Sequence, residues 1–407
     1  MSDQRRLPLT GIRVLDFTWG GAGPFATKAL ADHGAEVIKV ETNTHYDFPR
    51  TMGPYAGGIA GVNRSAYFTN RNSSKLSISV NLKKPEAVKL VKRLAATCDL
   101  VVNNFRAGIL EKLGLGYQKL SAGRTDLIYV SMPLQGSSGP QANFSGVGHT
   151  LNVLSGIYGV TGYPDGQLVG PGTNYPDHSV NPGHALVAIL AALIHRRRTG
   201  QGQYVEISQL ESTMNLLGPS ILAYSMDGEN PAPLGNWSRT AAPYGLFPCA
   251  NDRFIAISVT TDSHWQGLSR VAAGQSWATD PALATAEGRL DSAEPLRAAI
   301  AEWTAGQDAQ TLMNALQEAG VPAGVVQNSA DLVDIDPQIR TRETLITVDH
   351  PEMGPVVYNN IPFKMSRTPG EIRSAPLIGE HNEKVFGEWL GVSPDEMRRL
   401  AEEGVFE

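Results

Sequence analysis

The stretch that decides the fold is Ile12-Arg13-Val14-Leu15-Asp16-Phe17, which leads into the glycine-rich segment Gly20-Gly21-Ala22-Gly23-Pro24. The first part is a short apolar run of the kind that forms a buried strand. Pro24 marks the start of a helix, because a proline in the first helical turn loses no helical hydrogen bond. The helix predicted over residues 25–32 is followed by a second strand, Glu36-Val37-Ile38-Lys39-Val40-Glu41. This order of strand, helix and strand predicts a βαβ unit.

The same alternation continues along the chain. Apolar periodicity and turn residues predict further strands at 76–82, 100–102, 127–131 and 204–208, and helices at 85–96 and 181–198. Alternating strands and helices are typical of an α/β fold with a doubly wound, largely parallel sheet.

The character of the sequence changes near residue 225. A Pro/Gly/Asn stretch is followed by a predicted strand at 254–259 and by helices between residues 294 and 318. We therefore expect a large domain over residues 1–225, completed by 325–407, and a smaller α+β domain over 226–324.

Composition restricts the classes of partner. The chain has 407 residues and a net charge of −6, which argues against binding to nucleic acid or an anionic membrane. Two cysteines do not make a disulfide framework and fit a reducing compartment. Residues 1–6 are polar, and the apolar run at 185–194 is shorter than the ~20 residues that a membrane span needs. We expect a soluble cytoplasmic protein that contacts neither membrane nor nucleic acid.

The first glycine-rich segment offers a candidate phosphate site at Gly20 and Gly21. Gly21-x-Gly23-x-x-Ala26, with Glu41 ending the next strand, loosely matches the dinucleotide-binding fingerprint. A tight turn that packs the helix on the sheet would give the same pattern. The pyrophosphate of CoA suits a helix N-terminus as well as that of NAD does. These alternatives remain open.

A second candidate site follows the strand at 100–102. Ligands of open α/β sheets bind at the carboxyl ends of the strands. Phe105 offers a ring for adenine and Asn104 is its neighbour, while nearby cations could bind phosphate. These cations are Arg106 and Lys112, together with Arg71 and Lys75 beside another strand. An ordinary βα loop with solvated charges would show the same residues.

Asp177 lies in Gly172-Thr173-Asn174-Tyr175-Pro176-Asp177-His178, just before the apolar helix. A helix dipole stabilises a carboxylate there by about 0.3–1 kcal/mol and keeps it ionised. An ionised carboxylate can attack a thioester to form a mixed anhydride. Position alone favours a turn or capping aspartate over a nucleophile. His149, His178 and His184 are candidate acid–base partners, and since they show no zinc-ligand spacing, no metal is expected.

Several ordered motifs together resemble the class III CoA-transferase family, which includes formyl-CoA and carnitine CoA-transferases. The resemblance covers the whole chain. It rests on residues 9–16, Ala22-Gly23-Pro24, residues 34–41, Asn104-Phe105-Arg106-x-Gly108, Leu113-Gly114-Leu115, residues 198–203, Gly320-Val321-Pro322-Ala323-Gly324 and residues 375–381.

The resemblance implies a Rossmann-like large domain, a small domain, and two chains interlocked like rings in a homodimer. A hetero-oligomer with a related subunit is the alternative. CoA thioesters would be substrates, with no permanently bound cofactor. The resemblance places CoA against the first βα loop near Gly21, the Asn104-Phe105 turn and Lys112, and makes Asp177 the nucleophile.

The activity implied is transfer of CoA from an acyl-CoA donor to a free carboxylic acid, through Asp-linked anhydride and thioester intermediates. The rival is a 2-methylacyl-CoA racemase or acyl-CoA isomerase, since racemases of this family use a His/Asp pair. His149 lies 28 residues before Asp177. Arg71, Arg239 and the histidines suggest a second carboxylate on the acceptor, with succinyl-CoA as donor.

Three positions depart from the family pattern. Thr42 stands where formyl-CoA transferases carry a CoA-contacting arginine, so contacts at the adenine end should differ. Gly235-Asn236-Trp237-Ser238-Arg239 lacks their glycine-run lid, and Gly148-His149-Thr150-Leu151-Asn152 replaces their usual pattern before Ser155-Gly156.

Overall fold

A parallel six-stranded sheet forms the larger of two units in the computed structural model, which describes residues 7–407. Its strand order is β3-β2-β1-β4-β5-β6, and every neighbouring pair is parallel. The strands are β1 (Arg13–Asp16), β2 (Glu36–Glu41), β3 (Leu76–Ser79), β4 (Leu100–Asn103), β5 (Ile128–Ser131) and β6 (Tyr204–Glu206). This is the order of a doubly wound dinucleotide-binding sheet, and it confirms the predicted α/β fold.

Helices connect these strands. Those of the larger unit are α1 (Ala22–Asp32), α2 (Ala66–Asn72), α3 (Pro85–Ala95), α4 (Ile109–Lys112), α5 (Tyr117–Leu120), α6 (Gly148–Leu154), α8 (Asn181–Thr199), α9 (Gln209–Met214), α10 (Gly218–Asp227) and α16 (Pro394–Glu402). Short helix α7 (Ile157–Val160) begins at the boundary between the units. An antiparallel hairpin, β10 (Leu345–His350) and β11 (Gly354–Asn359), also belongs to the larger unit.

The sheet is covered on both faces because its strands are apolar at consecutive positions. Successive strand side chains point to opposite faces. Val14 lies in the core that contains Leu30 of α1 and Ile189 of α8. Its neighbour Leu15 lies in the other core, with Leu94 of α3. Burying a leucine fully stabilises the fold by about 1.5–3 kcal/mol, so both helical layers are firmly attached.

Helix α8 is buried on one face only, although residues 185–194 are all apolar. One face, with Ala185 and Ile189, is buried in the core. The other face leaves Val187 71%, Leu190 41% and Ile194 53% exposed. Contiguous exposed apolar surface commonly marks an interaction site.

The smaller unit comprises Tyr158–Val169 and Pro231–Pro337. Its antiparallel sheet has the order β7-β8-β9, formed by β7 (Tyr244–Pro248), β8 (Phe254–Ser258) and β9 (Ala323–Val325). Its helices are α11 (Asp262–Val271), α12 (Ala286–Asp291), α13 (Ala293–Ala305) and α14 (Ala309–Glu318), and α15 (Pro337–Thr341) starts at its boundary. A separate core around Trp265, Leu268 and Ile300 holds this unit together.

No helix within residues 7–407 is long and apolar enough to cross a membrane. The polar segment 1–6, on which the expectation of a missing signal region rests, lies outside the described residues.

Candidate active site

A cavity of about 720 Å³ opens at the carboxyl ends of β1, β2, β3 and β4. This is where open α/β sheets bind their ligands. The lining includes Gly20, Gly21, Asn104, Phe105, Arg106 and Asp177, all predicted site residues, together with Trp19, Thr42, Thr44, His45, Phe48, Asn81, Lys83, Gly148 and Gln209. The structure thus brings together three segments that are far apart in sequence.

Buried charges hold the loop that carries Gly20 and Gly21. The N–H of Gly20 donates to Asp47 Oδ1 at 2.8 Å. Lys39 Nζ donates to Asp47 Oδ2 at 2.9 Å and to the Thr18 carbonyl at 2.7 Å. Lys39 and Asp47 are fully buried, where a pair is tolerated only with complete hydrogen bonding. The backbone of this loop is therefore fixed at the edge of the cavity.

Asp177 lies in the helical turn Pro176–Val180, which runs directly into α8. Two glycines flank it. A Cβ on Gly21 would lie 2.9 Å from Asp177 Cβ, and a Cβ on Gly148 would overlap Asp177 Oδ2 and lie 2.8 Å from its Cγ. The carboxylate occupies a slot that exists because neither neighbour has a side chain.

Burial dominates the electrostatics of Asp177. It raises the pKa of this carboxyl to about 6, although the charge of Arg71 and the nearby Asn181 amide act in the opposite direction. The helix dipole, worth about 0.3–1 kcal/mol, offsets only part of this cost of burial. With a pKa of about 6 the group is still about nine-tenths ionised at pH 7, as a nucleophile requires.

Arg71 lies beside Asp177 rather than in the cavity lining. It is buried, and its Nη2 contacts His178 Nε2 at 2.7 Å. Its Nη1 donates to the Tyr67 carbonyl at 2.8 Å. The predicted phosphate contact for Arg71 finds no support in this placement.

Lys75 is fully buried and cannot contact a ligand. Its ammonium donates to Asp16 Oδ2 at 3.0 Å, to the Pro24 carbonyl at 3.1 Å and to Asn72 Oδ1 at 2.9 Å. These three bonds use all three donors of a lysine. The structure contradicts the phosphate-binding prediction for Lys75 and gives it a role in holding β1, α1 and α2 together.

Asn104 holds the neighbouring wall of the cavity. Its Oδ1 accepts from the Trp19 N–H at 2.8 Å, and its Nδ2 donates to the Trp19 carbonyl at 2.7 Å. The Trp19 ring meets Phe105 edge to face, with centroids 5.5 Å apart, and lies 4.9 Å from His45. Asn104 therefore orients an aromatic wall, while Phe105 presents its ring to the cavity.

The remaining predicted cations differ in position. Arg106 lines the cavity and donates from Nη1 to the Asn143 carbonyl at 3.0 Å. Lys112 is exposed at the end of α4, whose Ile109 and Leu110 line the cavity. The phosphate contact predicted for Lys112 stays a prediction.

Neither Lys83 nor the hydrogen bonds between the rim around Thr42 and Glu407 were predicted from the sequence. Lys83 is exposed and lines the cavity just after β3. Glu407 accepts hydrogen bonds from Thr42 and Thr44 through Oε2, at 2.9 and 2.7 Å, and from Asn81 through Oε1 at 2.7 Å. All three donors line the cavity. The rule that ligands bind at strand ends could have identified Lys83.

His149 does not share the cavity with Asp177. It is the second residue of α6, its side chain is exposed, and it is absent from the cavity lining. Of the remaining predicted histidines, His178 lies within the Asp177 turn and His184 lies in α8, and neither is part of that lining. Among residues 7–407 no group of three or more His, Cys, Asp or Glu side chains could hold a metal ion.

Comparison with known proteins decides the family. The sequence profile of CoA-transferase family III matches residues 9–382. This chain belongs to CoA-transferase family III. It is accordingly an enzyme that transfers CoA to a carboxylic acid, and the family resemblance predicted from its motifs is confirmed.

Relatives in this family cover nearly the full chain. The succinyl-CoA–D-citramalate CoA-transferase of Chloroflexus aurantiacus is 34% identical over 404 residues, which are 98% of either chain. The succinyl-CoA:mesaconate CoA-transferase of Haloarcula marismortui is 37% identical, over 93% of this chain and 96% of the relative. The crystal structure of a CAIB/BAIF family protein from Brucella suis superimposes with a TM-score of 0.84 at 31% identity, over 94% of this chain and 99% of the other.

The double hydrogen bond of Asn104 gives a first prediction for this family III transferase. Asn104→Ala should raise the KM for the CoA thioester up to about 30-fold, since two hydrogen bonds of roughly 1 kcal/mol each orient Trp19. The kcat should change little because Asn104 does not contact Asp177. Asn360→Ala is the matched control: Asn360 also donates one bond and accepts one, but it lies outside the cavity lining. Steady-state kinetics would contradict the prediction if both variants kept the wild-type KM.

Proposed function

We propose that this enzyme transfers CoA from succinyl-CoA to a free dicarboxylic acid, with Asp177 as the nucleophile. The observation that carries the proposal is the Asp177 carboxylate, which lies at the cavity between two glycines and is ionised at neutral pH. The names of the C. aurantiacus and H. marismortui relatives, both at least 34% identical, support succinyl-CoA as donor and a dicarboxylate as acceptor.

The proposed reaction has four steps that conserve charge. An oxygen of Asp177 attacks the thioester carbonyl, the C–S bond breaks, and CoA leaves as the thiolate, which gives a mixed anhydride. The thiolate then attacks the Asp177 carbonyl carbon, releases succinate and leaves an aspartyl-CoA thioester. The acceptor carboxylate attacks this thioester and displaces the thiolate. In the last step the thiolate attacks the acceptor carbonyl, which forms the new acyl-CoA and restores Asp177.

The cavity lining suggests how CoA is held. Phe105 and Trp19 offer aromatic surface for the adenine. Arg106 and Lys83 line the cavity and Lys112 lies on the adjoining helix, so they can neutralise phosphates. Backbone N–H groups at the start of α1, beside Gly21, suit the pyrophosphate.

The racemase alternative has no geometric support in this chain. Proton exchange at the α-carbon needs a second group within hydrogen-bond reach of the substrate. The side chain proposed for that role, His149, is exposed and lies outside the cavity lining.

We also propose a homodimer, interlocked as the family resemblance implies. Apolar side chains are exposed on α8, and α10 leaves Leu222 59%, Tyr224 63% and Met226 76% exposed. Apolar surface on this scale is normally covered by a partner subunit.

Trapping with hydroxylamine tests the proposed nucleophile. The enzyme is incubated with succinyl-CoA, treated with hydroxylamine and digested, and the peptides are analysed by mass spectrometry. An aspartyl-CoA thioester should be converted to a hydroxamate at Asp177, and only when succinyl-CoA is present. If Asp177 remains unlabelled while the α-protons of an acyl-CoA exchange with heavy water, the enzyme is not a transferase of this mechanism.

A further inference from the structure

A buried cation lies close to the proposed nucleophile without bonding to it. Arg71 is the one charged side chain whose field lowers the pKa of Asp177. Within residues 7–407, however, no salt bridge of 4.0 Å or less joins the two groups. The guanidinium instead directs Nη2 to His178 Nε2, at 2.7 Å.

This contact fixes the tautomer of His178. A guanidinium can only donate, so Nε2 must accept and the ring proton must be on Nδ1. Nδ1 lies 3.4 Å from Thr173 Oγ1. Burial, and then the charge of Arg71, lowers the pKa of His178 to about 4. The imidazole is therefore neutral in the working range and holds Arg71 without cancelling its charge.

Aromatic rings restrict Arg71 from the other sides. The guanidinium carbon lies 3.4 Å from the centre of the Tyr67 ring and 5.2 Å from that of Phe25. Phe25 in turn meets the ring of His178 edge to face at 5.3 Å. The Nε of Arg71 is buried and has no hydrogen-bond partner. The charge is thus held in one place by an acceptor and two rings.

We propose that Arg71 is a positioning residue for CoA transfer, held by neutral His178 so that its charge favours ionised Asp177 while leaving the carboxylate oxygens free to attack. The inference rests on the proposed role of Asp177 as nucleophile. A direct ion pair would occupy the oxygen lone pairs and would have to break before each attack. A cation that is hydrogen-bonded to a neutral acceptor still stabilises the ionised carboxylate, and no ion pair has to break before the attack.

Other titratable groups on the packed elements do not replace Arg71. Four helices pack against the Asp177 turn. Their titratable groups are Lys28 and Asp32 of α1, His149 of α6, His184, His195 and the arginines 196–198 of α8, and Glu211 of α9. Lys28 and Asp32 pair with each other. None of these groups shifts the pKa of Asp177. Asp47 also faces Arg71 and favours its charged form.

The pH dependence of kcat/KM for succinyl-CoA tests the proposal. Activity requires ionised Asp177, so it should be lost as the pH falls through about 6 in the wild type. Arg71→Met removes the charge, raises the pKa of Asp177, and should move this acid limb upward by about one pH unit. Arg71→Lys keeps the charge and should leave the limb near its wild-type position.

His178→Phe gives a shift in the opposite direction. It keeps an aromatic ring but removes the acceptor, so Arg71 becomes able to pair directly with Asp177. The acid limb should then move downward, and kcat should fall. A purely structural role for these residues would not produce opposite shifts.

Arg13→Met is the matched control. Arg13 also stacks on an aromatic ring, with its guanidinium 4.0 Å from Trp389, but it pairs with Glu36 outside the cavity. The acid limb of the kcat/KM profile of Arg13→Met should coincide with that of the wild type. If the acid limb of the kcat/KM profile is unchanged in Arg71→Met, the inference is overturned. If Arg71→Met does not fold, an unchanged acid limb in His178→Phe overturns it. Failure of the proposed function is distinct, because it appears as absent hydroxamate labelling of the wild-type enzyme.

Discussion

Replacing Asp177 by alanine is expected to lower kcat by at least about 10³-fold, the scale on which enzymes lose activity when a covalent nucleophile is removed. The Asp177 side chain fills the slot beside Gly21 and Gly148, so its removal leaves the cavity without the proposed nucleophile. Asp177→Asn keeps the shape of the side chain and should lose activity to a similar extent.

Stability should change in the opposite sense. Burial raises the pKa of Asp177 from 3.8 to about 6, so above this range the folded state carries a charge that is more stable in the unfolded chain. Removing the carboxyl relieves this cost at neutral pH, and the thermal midpoint of Asp177→Ala should equal or exceed that of the wild type. Binding of succinyl-CoA, measured by calorimetry, should persist. A variant that folds and keeps a tenth of the wild-type kcat would falsify the role of Asp177.

Adding one methyl group at position 148 should cost about 100-fold in kcat. In Gly148→Ala the new Cβ would overlap Asp177 Oδ2 and would lie 3.0 Å from Asn174 Cβ. The turn that carries the nucleophile must therefore move, and a displacement of about 1 Å can cost 10²-fold in rate. Asn104 and Phe105 lie on another wall, so the affinity for the CoA thioester should remain within a fewfold.

A second helical glycine separates this effect from helix propensity. Gly183 lies in the first turn of α8, and no atom lies within 4 Å of a Cβ placed there. Gly183→Ala should leave kcat unchanged, and its thermal midpoint should rise because alanine is favoured over glycine in a helix by about 1 kcal/mol. Equal kcat values for Gly148→Ala and Gly183→Ala would show that the slot does not position Asp177.

Local patterns were sufficient for the fold of the larger unit. The strands around β1 were predictable because each is a short, mainly apolar run followed by polar or turn-forming residues, and such signals act over a few residues. The cavity followed from the same information, since the carboxyl ends of parallel strands meet at one edge of the sheet. Gly21, Phe105 and Arg106 are therefore on its lining, as expected.

Pairing between distant charges was not predictable. Lys75 resembles a free cation in sequence, yet its partner Asp16 lies 59 residues away and both are fully buried. Arg71 meets His178 across 107 residues. Lys83, in contrast, occurs beside Lys84 and Pro85, a composition typical of a solvated turn. Whether such a side chain is buried, paired or available depends on packing that no local pattern specifies.

The rim that Glu407 holds has a practical consequence for handling the protein. An affinity tag fused directly after residue 407 would start next to Thr42, Thr44 and Asn81, which Glu407 binds and which line the cavity. Such a tag would crowd this rim of the cavity and perturb the carboxylate that organises it. Kinetic measurements should therefore use protein in which no tag is attached at residue 407.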